Sequence, residues 1–125
     1  MIKDIMRSDI VKLKSDDILS KALKIMYEHN VNGAPVIDSN GKLIGMIVKA
    51  DIYRFLMEEG HFDTCPIDWV MTKDVITANK DEEIIDAAKR LRENNIIAIP
   101  VVDDNEIVEG IVSIEDIIDY AIKKF

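Results

Sequence analysis

The stretch Gly45-Met46-Ile47-Val48-Lys49-Ala50-Asp51 has a counterpart in Gly110-Ile111-Val112-Ser113-Ile114-Glu115-Asp116, and this pair decides how the 125 residues are read. Each is a short apolar strand running straight into a helix, with an aspartate in the helix's first turn. The two aspartates lie 65 positions apart (116 − 51). Sliding the chain by that offset brings Met6 onto Met71, Asp16 onto Asp81, Ala22 onto Ala87 and Asn30 onto Asn95. It also brings Pro35-Val36 onto Pro100-Val101, Asp38 onto Asp103 and Asn40 onto Asn105, without a gap. Between these points apolar residues mostly replace apolar ones, as Ile96 replaces Val31. One structural unit is written twice.

The pattern inside a unit predicts its elements. Residues 9–13 and 74–78 read as short strands. Asp16 or Asp17, and Asp81, stand where they would cap the helices that follow. Those helices are marked by Ile18, Leu19, Ala22, Leu23 and Met26 in the first copy and by Ile84, Ala87, Ala88 and Leu91 in the second. They end near Asn30 and Asn94-Asn95, residues that tolerate a left-handed terminus. Second strands cover 34–37 and 99–102, with Pro35 and Pro100 at a strand start or edge. Turns at 38–41 and 103–106 lead to third strands at 43–48 and 107–113. Closing helices cover 49–57 and 114–123.

The order is β-α-β-β-α, twice. This predicts an α+β fold, an α/β sandwich in which two small units share a core because neither buries much surface alone. The first repeat takes residues 1–57, a connection 58–66, and the second repeat 67–125. Gly60 and Pro66 break the connection, Pro66 suits the start of a short helix, and Trp69 is expected as a core or interface anchor.

Composition narrows the function. Hydrophobic residues make up 48% and charged residues 32% of the chain, a folded rather than a disordered balance. Neither a membrane span nor the apolar core of a signal peptide is visible, so a cytoplasmic protein is expected. A net charge of −8 argues against nucleic acid as the main partner. The charge is uneven: residues 1–62 carry nine basic and nine acidic side chains, and residues 63–125 carry seven and fifteen. An anionic ligand would find the first half the easier host.

Catalysis is not indicated. Two histidines lie outside the repeated motif, and no Ser/His/Asp or Cys/His set or Gly-Lys-Ser/Thr phosphate loop is present. His61 and Cys65 are too few ligands for zinc. His29 reads as a helix-surface residue. Cys65, the only cysteine, lies among acids and reads as an incidental linker residue.

The doubled unit resembles the cystathionine-β-synthase-type (CBS) domain pair, or Bateman module. The likeness rests on Asn30–Asp38 with Gly45–Asp51, and on Asn95–Asp103 with Gly110–Asp116. The resemblance implies two CBS units related by a pseudo-two-fold axis, with regulation rather than catalysis as the function. It implies binding of AMP, ADP, ATP or S-adenosylmethionine in clefts between the repeats, and disk-like homodimers formed through the closing helices. It also implies a motif Gly-apolar-x-Thr/Ser-x-x-Asp, whose aspartate holds ribose hydroxyls while the Thr/Ser and helix start face phosphate.

Ser113 and Asp116 fill that motif in the second copy. In the first, Asp51 is kept, Val48 replaces the hydroxyl residue, and Lys49 could supply charge instead. The adenine would be received by the first-strand backbone, at Ile10 in one copy and at Val75 and Thr77 in the other. The residues beside the prolines, Ala34-Pro35 and Ile99-Pro100, would complete its wall.

The chemistry of these residues agrees with such a site. A carboxylate accepts two hydrogen bonds at once and suits a pair of sugar hydroxyls. A helix start offers free N–H groups to an anion. The same Ser113-Ile114-Glu115-Asp116 also reads as a helix cap followed by acids that would discourage phosphate. The second copy therefore favours AMP or S-adenosylmethionine over ATP. The competing function is a ligand-free structural dimerisation module. A homodimer is expected on either reading, with Ile52, Phe55, Leu56, Ile117, Ile118 and Ala121 available for covering.

Overall fold

The computed structural model describes residues 1–125. The chain divides into two compact units that interleave in sequence. One is Val11–Val75; the other joins Met1–Ile10 to Ile76–Phe125. Each unit holds one motif aspartate and takes its label from it, the Asp51 unit and the Asp116 unit.

In the Asp51 unit the elements are β1 (Leu13–Lys14), α1 (Leu19–Glu28), β2 (Gly33–Ile37), β3 (Leu43–Val48) and α2 (Lys49–Leu56). The sheet order is β1-β2-β3, with β1 parallel and β3 antiparallel to β2. Beyond β3, Thr72 exchanges both backbone hydrogen bonds with Met46, at 2.8 and 2.9 Å. Met26, Val36, Ile47, Ile52 and Ile67 are completely buried in this unit's core, and Val70 and Met71 pack against it.

The Asp116 unit repeats the plan with α3 (Ile84–Glu93), β4 (Ala98–Val102), β5 (Val108–Ser113) and α4 (Ile114–Lys124). Strands β4 and β5 are antiparallel. Arg7 lies along β5, donating to the Ile111 carbonyl at 2.9 Å and accepting from the Ile111 N–H at 3.0 Å. Ile2, Ile99, Val101 and Val112 are completely buried in its core, with Ile5 and Met6 packed against them.

The repeated glycines explain how these outlying segments fit. A Cβ on Gly45 would stand 2.6 Å from Met71 Sδ, and one on Gly110 would stand 2.8 Å from the Arg7 carbonyl. A side chain on Gly110 would push the Arg7 segment off the sheet edge, and one on Gly45 would displace the Met71 side chain and crowd the Thr72 carbonyl at 3.1 Å.

Both long turns follow the sequence expectation. Asn30 and Asn95 each have φ of 56°, ending α1 and α3 in left-handed residues. Val31 N–H donates to Met26 O at 3.0 Å and Ile96 N–H to Leu91 O at 3.1 Å, the six-to-one bond of a Schellman ending. The side chains of Val31 and Ile96 then fold back onto the two cores.

Several expectations need correction. The first strands at 9–13 and 74–78 shrink to β1 and to a single parallel bridge between Ala78 and Val101. Ala78 N–H donates to Pro100 O, and Val102 N–H to Ala78 O. The next rung toward the N-terminus would need an N–H from Pro100, and proline has none. Pro35 stops the ladder beside β1 in the same way.

Asp16, Asp17 and Asp81 do not cap helices, since α1 begins after Ile18 and α3 after Glu83, both without a side-chain cap. The free N–H groups of Leu19 and Ser20 are taken instead by the carbonyls of Cys65 and Asp63, each at 2.9 Å. Asp17 accepts from Lys14 N–H and from Lys21 Nζ.

Trp69 is 67% exposed, so it is no core anchor. Its backbone turns in the short 3-10 helix Ile67–Trp69, whose buried residue is Ile67. Of the residues expected to await covering, Ile52 is completely buried, and Phe55, Leu56 and Ile117 pack on the cores of their own units. The apolar side chains left exposed are Tyr53 on α2, Met57 just after it, and Ile118 and Ile122 on α4.

Candidate ligand site

The two motif aspartates sit at equivalent strand-to-helix junctions in very different surroundings. Asp116 is the third residue of α4, and its side chain is only 8% exposed. Ser113 caps the helix: its Oγ accepts from Asp116 N–H at 3.2 Å. Asp116 Oδ2 in turn receives the Ser113 N–H at 2.9 Å and its hydroxyl at 3.0 Å. This is a reciprocal capping box with aspartate in the place usually held by glutamate. The remaining oxygen, Oδ1, accepts from Arg7 Nε at 3.0 Å. Burial of the carboxylate is thus balanced by three donors, one of them charged.

In the Asp51 unit the corresponding carboxylate is 32% exposed and pairs with Arg54, one turn along α2. Val48 supplies no cap, so α2 starts without a side-chain hydrogen bond. Lys49 places Nζ over the Tyr27 ring, 5.4 Å from the ring centre. Its N–H donates to Asn32 O at 2.8 Å, tying the start of α2 to the segment before β2. An adjacent cation and an accessible carboxylate make this the more open of the two junctions.

The strands place the other expected residues. In the Asp116 unit, Ala98 faces Ser113 across the β4–β5 ladder, Ile99 faces Val112 and Pro100 faces Ile111. Ile99 is completely buried and belongs to the core, so its side chain offers no surface to a ligand. Pro100 is buried as well. Thr77 is half-buried, and its carbonyl accepts from Arg90 at 3.2 Å. Ile10 closes the N-terminal segment of this unit, half-buried.

In the Asp51 unit, Ala34 faces Ile47 and Pro35 faces Met46. Ala34 is 1% exposed and lies in the core. Val75, half-buried, is the last residue of this unit. Ser113 and Asp116 are therefore joined directly. Asp51 and Lys49 share one helix start without touching, and Ile99 and Ala34 serve packing.

Sequence reading missed Arg7. The offset of 65 puts Thr72 at the matching position, so the repeat gave no reason to look there. Its partner lies 109 positions away. The one available signal was that Met6-Arg7 departs from Met71-Thr72 immediately after the shared methionine.

No group of three or more His, Cys, Asp or Glu residues is gathered to hold a metal. His61 Nδ1 lies 2.7 Å from Phe55 O, and its ring stacks on the Phe55 ring with centroids 3.8 Å apart.

A sequence profile of the CBS domain matches residues 2–58 and again 67–123. The chain belongs to the CBS domain family. It carries two CBS repeats and has the mixed helix-and-strand fold of known CBS domain pairs.

The CBS domain pair of protein MJ0100, solved with 5′-methylthioadenosine and S-adenosyl-L-methionine, is similar over 100% of this chain and 98% of its own. The identity is 36% and the TM-score 0.93. CBSX2, solved with AMP, is 25% identical with a TM-score of 0.87, over 98% of this chain and 96% of its own. Among curated relatives, L-aspartate semialdehyde sulfurtransferase of Methanocaldococcus jannaschii is 38% identical over 94% of this chain. The CBS pair spans only 22% of that protein and 24% of a homoserine O-acetyltransferase of Methanococcus vannielii that it also matches. The similarity to these enzymes is confined to that fraction. No helix is long and apolar enough to cross a membrane.

Proposed function

We propose that this CBS pair is a regulatory module that binds adenosine-containing ligands at its two strand-to-helix junctions and passes the change on to a partner or a fused domain. The observation that carries the proposal is Asp116. A carboxylate fixed at a helix start, with Oδ2 oriented by the Ser113 N–H and hydroxyl and Oδ1 held only by the side chain of Arg7, can receive a pair of sugar hydroxyls once Arg7 gives way. The nucleosides bound by MJ0100 and CBSX2 support the ligand class. Asp51 plays the same part in the first copy, with Lys49 standing in for the missing hydroxyl. The ribose contacts fall to Asp51 and Asp116, and the adenine contacts to backbone groups near Ile10, Val75 and Thr77 and beside the two prolines.

The Asp116 unit favours ligands of low charge, AMP or S-adenosylmethionine over ATP. Its segments hold eight basic and fourteen acidic side chains, against eight and ten for the Asp51 unit. A triphosphate would be repelled there. The exposed Tyr53 on α2, Met57 at its C-terminal end, and Ile118 and Ile122 on α4 support a homodimer formed through these helices.

Calorimetric titration of the protein with AMP, S-adenosylmethionine and ATP, repeated on Asp51→Asn, tests this reading. The expected result is binding of AMP or S-adenosylmethionine to the variant in preference to ATP. Light scattering on the same sample should give twice 14.2 kDa. Tightest binding of ATP to the variant would reject the charge argument. A protein that bound none of the three would be left with the scaffold role.

A further inference from the structure

Asp116 has two oxygens, and their partners differ in kind. Oδ2 is held by Ser113, three residues away in the same turn, so that bond forms with the helix itself. Oδ1 is held by Arg7, whose side chain is 54% exposed and comes from a different segment of the unit. Arg7 is fixed to β5 through its backbone by the two bonds to Ile111, while its half-exposed side chain is held by the single bond to Oδ1. Nε alone hydrogen-bonds the carboxylate, and the Nη groups donate no hydrogen bond within the protein. The guanidinium thus keeps unused donors beside a buried acid.

We propose that Arg7 determines specificity at the Asp116 site by guarding Oδ1: a neutral nucleoside must displace the guanidinium, whereas a nucleoside carrying one anion on its 5′ side gives the displaced guanidinium a new partner. This rests on the reading above, that Asp116 receives sugar hydroxyls. The physical balance is simple. A diol that takes both carboxylate oxygens breaks a charge-assisted hydrogen bond to a buried acid and replaces it with a neutral donor. An anionic group within reach of Arg7 restores a charged pair, in the bidentate geometry that suits a guanidinium and a phosphate or carboxylate. The Asp51 unit has no equivalent. Thr72 stands at the matching position, and Asp51 is paired with Arg54 on its own helix instead.

The test compares AMP with uncharged 5′-methylthioadenosine by calorimetry, in an Asp51→Asn background that leaves one site. The proteins are the background itself, Arg7→Ala and Arg7→Lys, each checked by its melting curve. The expected result is opposite movement: Arg7→Ala binds 5′-methylthioadenosine more tightly and AMP more weakly, each by about tenfold. Arg7→Lys recovers part of the AMP affinity. The NMR signal of Arg7 Nε–H should also shift when AMP binds the parent.

Equal weakening of both ligands would make Arg7 a structural brace and overturn the proposal, as would no change in either. If the parent bound neither compound, the reading of Asp116 as a ribose acceptor would fall, and this inference with it. Binding by the parent without opposite movement defeats the inference alone.

Discussion

Glu106 occupies the third hairpin position after Asp103 with φ of 64°, where the first copy has Gly41 at 84°. The two turns are otherwise alike: Asp38 Oδ1 accepts from the N–H groups of Asn40 and Lys42, and Asp103 Oδ1 from those of Asn105 and Ile107. A side chain in the left-handed region is strained, while glycine is not. Glu106→Gly should therefore stabilise the protein by about 0.5–1 kcal/mol, after allowing for the freedom glycine adds to the unfolded chain. A denaturant melt showing a lower midpoint would refute this. At this scale much was legible in the sequence. The left-handed Asn30 and Asn95, the turn aspartates and the motif residues Asp51, Ser113 and Asp116 all stood out from the repeat. Arg7 did not, because an ion pair joining distant segments leaves no periodic trace. Nor did the burial of the Ile99 and Ala34 side chains in the cores, since apolar residues that line a site and those that fill a core are the same residue types.

Among the elements, helices and the second and third strands followed from hydrophobic spacing, and α2 and α4 ended within a residue of expectation. The first strands were misjudged because each proline removes a bond from its neighbour's ladder as well as from its own strand. The start of α1 was misjudged because its cap is backbone, from Asp63 and Cys65, and backbone carries no residue signature. The start of α3 is fastened differently. Glu82, in the turn before it, forms a two-pronged pair with Arg90 on the helix, and Arg90 also reaches Thr77 O.

The hydrogen bond from Arg90 holds the Glu82 carboxyl below its ordinary 4.5, with help from the Asn79 N–H and the Arg90 charge, against the opposing effect of burial. A lowered folded-state value means that the unfolded chain binds the proton first. The stability this pair gives is fully present above 4.5 and is lost as pH falls through the lower folded value. Glu82→Gln should melt lower than the parent at pH 7, with the gap closing on acidification below pH 4.5. A gap unchanged down to strong acid would show that the pair does not couple folding to protons.

At the level of the whole molecule, the doubled sequence and the compact units do not share their boundaries. The repeat begins near Ile2 and again at Ile67, but Met1–Ile10 belongs with the second copy's elements and the segment leading to Val75 with the first copy's. This arrangement carries Arg7 to Asp116, and it makes the Asp116 unit's chemistry depend on a residue from the start of the chain. The central claim is that the motif aspartates hold the sugar of an adenosine ligand. Its most direct measurement is the melting temperature with and without AMP near 100 times its dissociation constant, for the parent and for Asp51→Asn/Asp116→Asn. The parent should gain about 2.7 kcal/mol for a single occupied site, a rise of several degrees, and the double variant should gain almost nothing. No rise in the parent, or the same rise in both proteins, would contradict the claim.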